Sequence, residues 1–156
     1  MRSEVCQNSY AYEYQVKEKI TELGLKNSSA KVFKKGTVLI ALVGATIGKT
    51  AYLTFDSATN QNISGIMSLD ENKLNQKFLY HVLINDYEKN FGERKGKFTM
   101  ANLQTIKNIE IPVPPIEEQK KIVSQIEVFE KAIEENQNIL DAAKGKKEAI
   151  LKKYLE

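Results

Sequence analysis

From residue 117 to the C-terminus, apolar positions recur in alternating steps of four and three. The series is Ile122, Ile126, Phe129, Ile133, Asn136, Leu140, Ala143, Lys147, Ile150 and Tyr154, and only Asn136 and Lys147 break its apolar character. A 3.5-residue repeat is the seam of a coiled coil. A continuous helix from Glu117 to Leu155 would be about 58 Å long. Nothing in so small a chain covers such a rod, so the seam calls for a partner helix from outside this sequence. A buried Asn in a seam fixes register and helix number at a cost in stability. Asn136 is placed to do that, unless the helix bends or exposes that side.

Upstream, the pattern is shorter in range. Val16, Ile20 and Leu23 have helical spacing, and Gly24 reads as a helix stop. Asn27–Ser29 reads as loop and Lys34–Gly36 as a turn. Thr37–Val43, β-branched and apolar, predicts a buried strand. Gly44–Gly48 makes a tight connection to a second strand over Thr50–Phe55. Asp56–Asn62 reads as polar loop, and Ile63–Leu69 as a third strand with Gly65 inside it. Asn75 caps a predicted helix over Gln76–Phe91, with Phe78, Leu79, Val82, Leu83, Tyr87 and Phe91 on one side. Gly92–Lys97 is a basic loop, Thr99 caps a short helix through Lys107, and Asn108–Ile111 reads as a brief strand. Pro112, Pro114 and Pro115, the only prolines, end it. The fold class is therefore α+β. A small mixed α/β domain over 1–111 leads through a proline elbow at 112–116 to one long C-terminal coiled-coil helix over 117–156.

Composition narrows the function classes. About 116 residues precede the helix, enough for a modest core. No run of 18 apolar residues is present, so no membrane span is expected. Glu4, Glu13 and Glu18 interrupt any signal-peptide order, and Cys6 is the only cysteine, so a reducing cytoplasm is the simplest home. The net charge of +3 is uneven: residues 1–116 hold 15 Lys/Arg against 11 Asp/Glu, and residues 117–156 hold 8 Lys against 9 Asp/Glu. The basic excess lies in the globular part, which is compatible with a polyanion and also common by chance.

Candidate chemistry is sparse. Gly44-Ala-Thr-Ile-Gly48-Lys49-Thr50 after a buried strand invites a phosphate-loop interpretation, but a Walker A loop has four residues between its glycines and this has three. The segment after Thr50 also has a strand pattern, where a helix N-terminus would hold phosphate. A glycine turn between two strands is the simpler assignment. His81 has no second His and no Cys near it in sequence, so it reads as a packed or surface histidine. No nucleophilic triad, metal site or cofactor site is expected. Arg94-Lys95-Gly96-Lys97-Phe98-Thr99 sets three cations beside one aromatic on a loop that can approach phosphates closely. Asn60-Gln61-Asn62 offers carboxamides of the kind that read adenine in the major groove, although such triplets are also ordinary turn material.

Several stretches together resemble the target recognition domain of type I restriction–modification specificity subunits. They are Ser28–Lys31, Lys35–Ala41, Gly44–Lys49, Thr59–Gln61, Phe98–Leu103 and the run Ile106–Val123 through the prolines. The resemblance covers roughly Ile20 to the C-terminus, and its order and spacing are more specific than any one motif. It implies that one domain reads half of a split target on double-stranded DNA. It also implies docking to methyltransferase subunits, which use S-adenosylmethionine, and to restriction subunits, which use ATP. The specificity subunit itself does no chemistry and carries no cofactor.

Full-length members carry two recognition domains and two antiparallel spacer helices, and half-length forms rebuild that geometry as dimers. Pairing through the long helix, with a second copy or another specificity subunit, is accordingly implied. A complete recognition domain would also carry several dozen further residues before Ile20, often with a Trp, so this chain is expected to hold part of one. The residues expected at DNA are Lys49, Asn60, Gln61, Asn62, Arg94, Lys95, Lys97, Phe98 and Thr99. The alternatives are an assembly module that pairs through the coiled coil without reading DNA, and a nucleotide-binding enzyme built on Gly44–Thr50.

Overall fold

The computed structural model describes residues 1–92, 101 and 103–155. It separates into a sheet unit, Met1–Gln119, and a helical unit, Lys120–Glu156.

The sheet unit is organised around β3 (Val38–Ala41), every residue of which is buried. Alternation along the strand sends Leu39 and Ala41 to one face, with Cys6, Ala11, Ala51, Leu53 and Ile63. Val38 and Ile40 go to the other face, against Leu79, Tyr80 and Leu83 of α2 (Gln76–Asn85). Both faces are covered, which explains the uninterrupted apolar run. β4 (Thr50–Leu53) and β6 (Ile63–Ile66) flank β3 antiparallel, and β1 (Ser9–Ala11) adds to β4 in parallel, in the order β1-β4-β3-β6. The rings of Tyr10, Tyr52 and Tyr80 lie 5.5–5.8 Å apart and tie β1 and β4 to α2. Asn75 caps α2 as expected, its side chain accepting from Phe78 N–H at 3.0 Å.

Four expectations need correction. Gly24 does not stop a helix at the Val16–Leu23 spacing; it lies inside a short α1 (Glu22–Lys26) capped by Thr21. Val16 is half-buried, while Ile20 and Leu23 are exposed, so among the described residues that apolar stripe is not covered along its length. The expected Asp56–Asn62 loop contains β5 (Ser57–Thr59), paired antiparallel with β2 (Lys31–Phe33). The helix over Gln76–Phe91 is broken at Asp86 into α2 and α3 (Tyr87–Phe91), and Phe91 packs with Leu42 and Ile47. Asn108–Ile111 forms no strand. Its backbone closes α4 (Leu103–Lys107) through Asn108 N–H to Gln104 C=O, and Ile109 and Ile111 pack onto the Val38–Ile40 face.

Gly65, inside β6, has a packing reason. A Cβ there would stand 2.4 Å from the Phe33 ring, so the glycine lets β2 lie close over the sheet. Cys6 is fully buried, and that burial pushes its thiol up to about 12. Ellman's reagent should leave the native thiol unmodified at pH 8 and react once on denaturation. Because the folded value is the raised one, stability is complete below the unfolded thiol value near 9 and falls as pH climbs toward 12. Rapid stoichiometric labelling of native protein would contradict this burial.

α5 (Ile116–Leu155) is a single 40-residue helix, about 60 Å long. Its seam residues Phe129, Ile133, Leu140, Ile150 and Tyr154 are 70%, 68%, 55%, 60% and 74% exposed, and Ile122 and Ile126 are half-buried. Ala143 and Lys147 are exposed as well. Asn136 donates from its side chain to Ala132 C=O at 2.7 Å, so its own helix satisfies it in the single chain. Among the described residues, no helix is long and apolar enough to cross a membrane.

Candidate nucleic-acid interface

Two turns and the residues flanking Arg94–Thr99 reach one end of the four-stranded sheet, where β3 and the residue after it hold them. Ala41 N–H donates to Lys49 C=O at 3.0 Å, fixing the turn that carries Lys49. The next residue, Leu42, donates to Asn62 C=O at 2.8 Å and so holds the Asn60–Asn62 turn on the other side. Leu42 C=O accepts from Ala101 N–H at 2.9 Å. Ala101 follows the Arg94–Thr99 segment and Phe91 precedes it, and both pack with Leu42 and Ile47. Arg94, Lys95, Lys97, Phe98 and Thr99 themselves lie outside the described residues.

The Lys49 turn has the conformation its glycines allow. Gly44 and Gly48 take φ of +75° and +77°, around a 3-10 turn at Gly44–Thr46. Gly48 N–H closes the turn onto Ala41 C=O at 2.8 Å. The segment that follows is strand β4, so the turn has no helix N-terminus with which to hold a phosphate. Lys49 is half-buried, and its ammonium donates to Gln7 Oε1 at 3.3 Å.

The Asn60–Asn62 turn divides its labour. Asn60 Oδ1 accepts from Asn62 N–H at 3.1 Å, so that carboxamide oxygen shapes the turn. Gln61 is exposed, while Asn62 is half-buried and gives its carbonyl to Leu42.

Two residues at this end escaped the sequence expectations. Asn8 takes φ of +57°, a conformation that Asn tolerates better than most residues. It is held there because its N–H donates to Thr50 C=O at 2.8 Å and its Oδ1 accepts from Thr50 N–H at 2.9 Å. Gln7 is exposed, with its Nε2 on Glu4 C=O at 3.0 Å and its Oε1 on Lys49. Parallel pairing of β1 with β4 brings both alongside Lys49, and a three-residue strand gives little sequence signal for that pairing. The other basic turn lies at the opposite end of the sheet. There Asp56 ties it down through Lys34 Nζ at 2.7 Å and Lys35 N–H at 2.8 Å, bonds that hold the Asp56 carboxyl below its usual range.

The family model of the type I restriction modification DNA specificity domain matches residues 2–144. The chain belongs to that family. The type I restriction enzyme MjaIX specificity subunit of Methanocaldococcus jannaschii is 32% identical over 131 residues, a match covering 80% of this chain and 29% of that protein. A solved chain from work on complex assembly and conformational transition of the type I R-M system aligns with a TM-score of 0.59. That alignment has 25% identity and covers 79% of this chain and 29% of that one. The specificity-domain chain thus spans under a third of the length of either relative.

Proposed function

We propose that this specificity-domain chain reads one half of a split double-stranded DNA target with the end of the sheet around Leu42. In this proposal α5 is the spacer through which it pairs. The convergence of the Lys49 turn, the Asn60–Asn62 turn and the flanks of Arg94–Thr99 on that end carries the proposal. An ammonium there supplies sequence-independent attraction to phosphate, and exposed carboxamides supply base discrimination. Methyltransferase and restriction subunits would dock on the assembled pair and bring S-adenosylmethionine and ATP chemistry with them. This chain would carry no catalytic group and no cofactor, and would work in the cytoplasm. Pairing through α5 with a second copy, or with another specificity subunit, would place two reading units on one DNA.

The exposed seam by itself equally supports an assembly module that pairs without reading DNA, and one experiment separates the two. Protein assembled with its methyltransferase partner is titrated with target DNA over a salt series. Lys49→Ala should weaken binding to all sequences alike and flatten the log–log salt dependence by about 0.9. Gln61→Ala should relax preference at one base pair. Absence of any DNA affinity at low salt would leave the assembly module as the function.

A further inference from the structure

We infer that Gln119 is the positioning residue of the joint, a buried carboxamide that fixes where α5 begins and fastens its first turn to the sheet unit. Two acidic residues precede Gln119 and two lysines follow it, a context that reads as solvated helix surface. Its side chain is nevertheless fully buried. Its Oε1 accepts from Asn75 N–H at 2.9 Å, at the cap of α2. Its Nε2 donates to Lys73 C=O at 2.8 Å and to Pro114 C=O at 2.7 Å. The backbone N–H of the same residue donates to Pro115 C=O at 3.1 Å. One residue therefore holds two successive proline carbonyls of the elbow, the loop before α2 and the cap of α2.

The chemistry selects this side chain. The site presents one N–H and two carbonyl oxygens, and a primary carboxamide offers one acceptor and two donors in a plane. Glutamate would keep the acceptor but set an anionic oxygen against two carbonyls. Leucine would fill the space and leave three buried backbone groups without partners. A helix start is the costly step of helix formation, since several residues are fixed before the first bond closes. Gln119 supplies that start from tertiary contacts, so order in α5 is coupled to the folded sheet unit. Gln76, the residue after the Asn75 cap, makes a second clasp, its side chain accepting from Ser68 N–H at 2.8 Å and donating to Ile66 C=O at 2.7 Å. The inference deepens the proposed spacer role and rests on that reading for what α5 does. Its test needs no DNA, so the two can fail separately.

The test is hydrogen exchange on the whole chain, read by mass spectrometry, for wild type, Gln119→Leu and the shorter amide Gln119→Asn. Amides of segment 112–124 should exchange about tenfold faster or more in Gln119→Leu, with β3 and β4 near wild-type rates. Gln119→Asn, with the right groups and too little reach, should fall between. Unchanged rates in 112–124, or an equal rise throughout the sheet, would overturn the positioning role. Gln119→Glu adds a second readout, which reports the burial of the site and the two carbonyls that face it. Burial against two carbonyls raises its folded carboxyl value above the ordinary one near 4.3. Its deficit relative to wild type should be smallest below that pH and should grow as pH rises toward the raised value. The nearby charges are common to both proteins: the exposed Lys73–Asp70 pair at 3.7 Å, Glu117, Glu118 and Lys120. A deficit constant across pH would also overturn the inference.

Discussion

Asp at both Ile133 and Leu140 is expected to convert an associated protein into a monomer of 17.7 kDa at every accessible concentration. The two side chains are 68% and 55% exposed in the single chain, so the fold of one copy does not depend on them. In a paired coiled coil each would enter a hole in the facing helix. Full burial of an Ile or Leu contributes about 1.5–3 kcal/mol, and a carboxylate in its place adds a desolvation cost of several kcal/mol more. A pair of identical chains meets each substitution twice. The summed loss is on the order of 10 kcal/mol, which shifts a nanomolar association beyond the millimolar range. Light scattering across a hundredfold concentration range reads the mass, and circular dichroism confirms that the sheet unit is intact. Wild-type protein that stays a 17.7 kDa monomer throughout, or a variant keeping the wild-type mass, removes the paired helix from the proposed function.

The same helix shows which features the sequence made legible. Ten seam positions over about nine turns of helix repeat one signal, so the two polar exceptions, Asn136 and Lys147, cannot erase it. β3 was legible for a different reason: cover on both faces demands an apolar residue at every position from Val38 to Ala41. β1, β2 and β5 have three residues each, too few for alternation to stand out, and each pairs with a strand more than twenty residues away. Their existence is a consequence of tertiary pairing, which local pattern does not encode. The candidate interface was legible in its parts, as glycine turns and amide-rich loops. Its assembly at Leu42 depends on two carbonyls and two N–H groups of the main chain, which carry no residue signature. Gln119 was hidden for the opposite reason, because its type and its neighbours mimic solvent-exposed helix.

Gly48→Ala should destabilise the sheet unit by about 3 kcal/mol, more than loss of backbone freedom explains. Two costs combine. The residue sits at φ +77°, where a side chain costs about 1–2 kcal/mol. A Cβ there would also stand 2.2 Å from Phe91 Cγ and 2.5 Å from Cδ2, inside any permitted contact. The atom in the way belongs to the root of a ring that is itself buried with Leu42, Ile47 and Ala101, so it cannot swing into solvent. Either the ring or the turn must move, and overpacking of this kind costs about 1–3 kcal/mol. The midpoint of thermal unfolding should fall by roughly 10 °C or more. Phe91→Leu in the same background should recover part of the loss, because it removes the obstructing ring while keeping an apolar side chain; Gly44→Ala, with nothing within 4 Å of its Cβ, should show the conformational cost alone. The comparison also decides what the two glycines are for. A phosphate-holding loop would make both substitutions chiefly defects of ligand binding. A turn that seats Lys49 against a packed ring makes Gly48 the more costly of the two in the unliganded protein, and under the proposed function DNA affinity should drop with it because Lys49 loses its place beside Gln7. Equal melting temperatures for the Gly44 and Gly48 variants would refute the ring contact as the reason for a glycine at position 48.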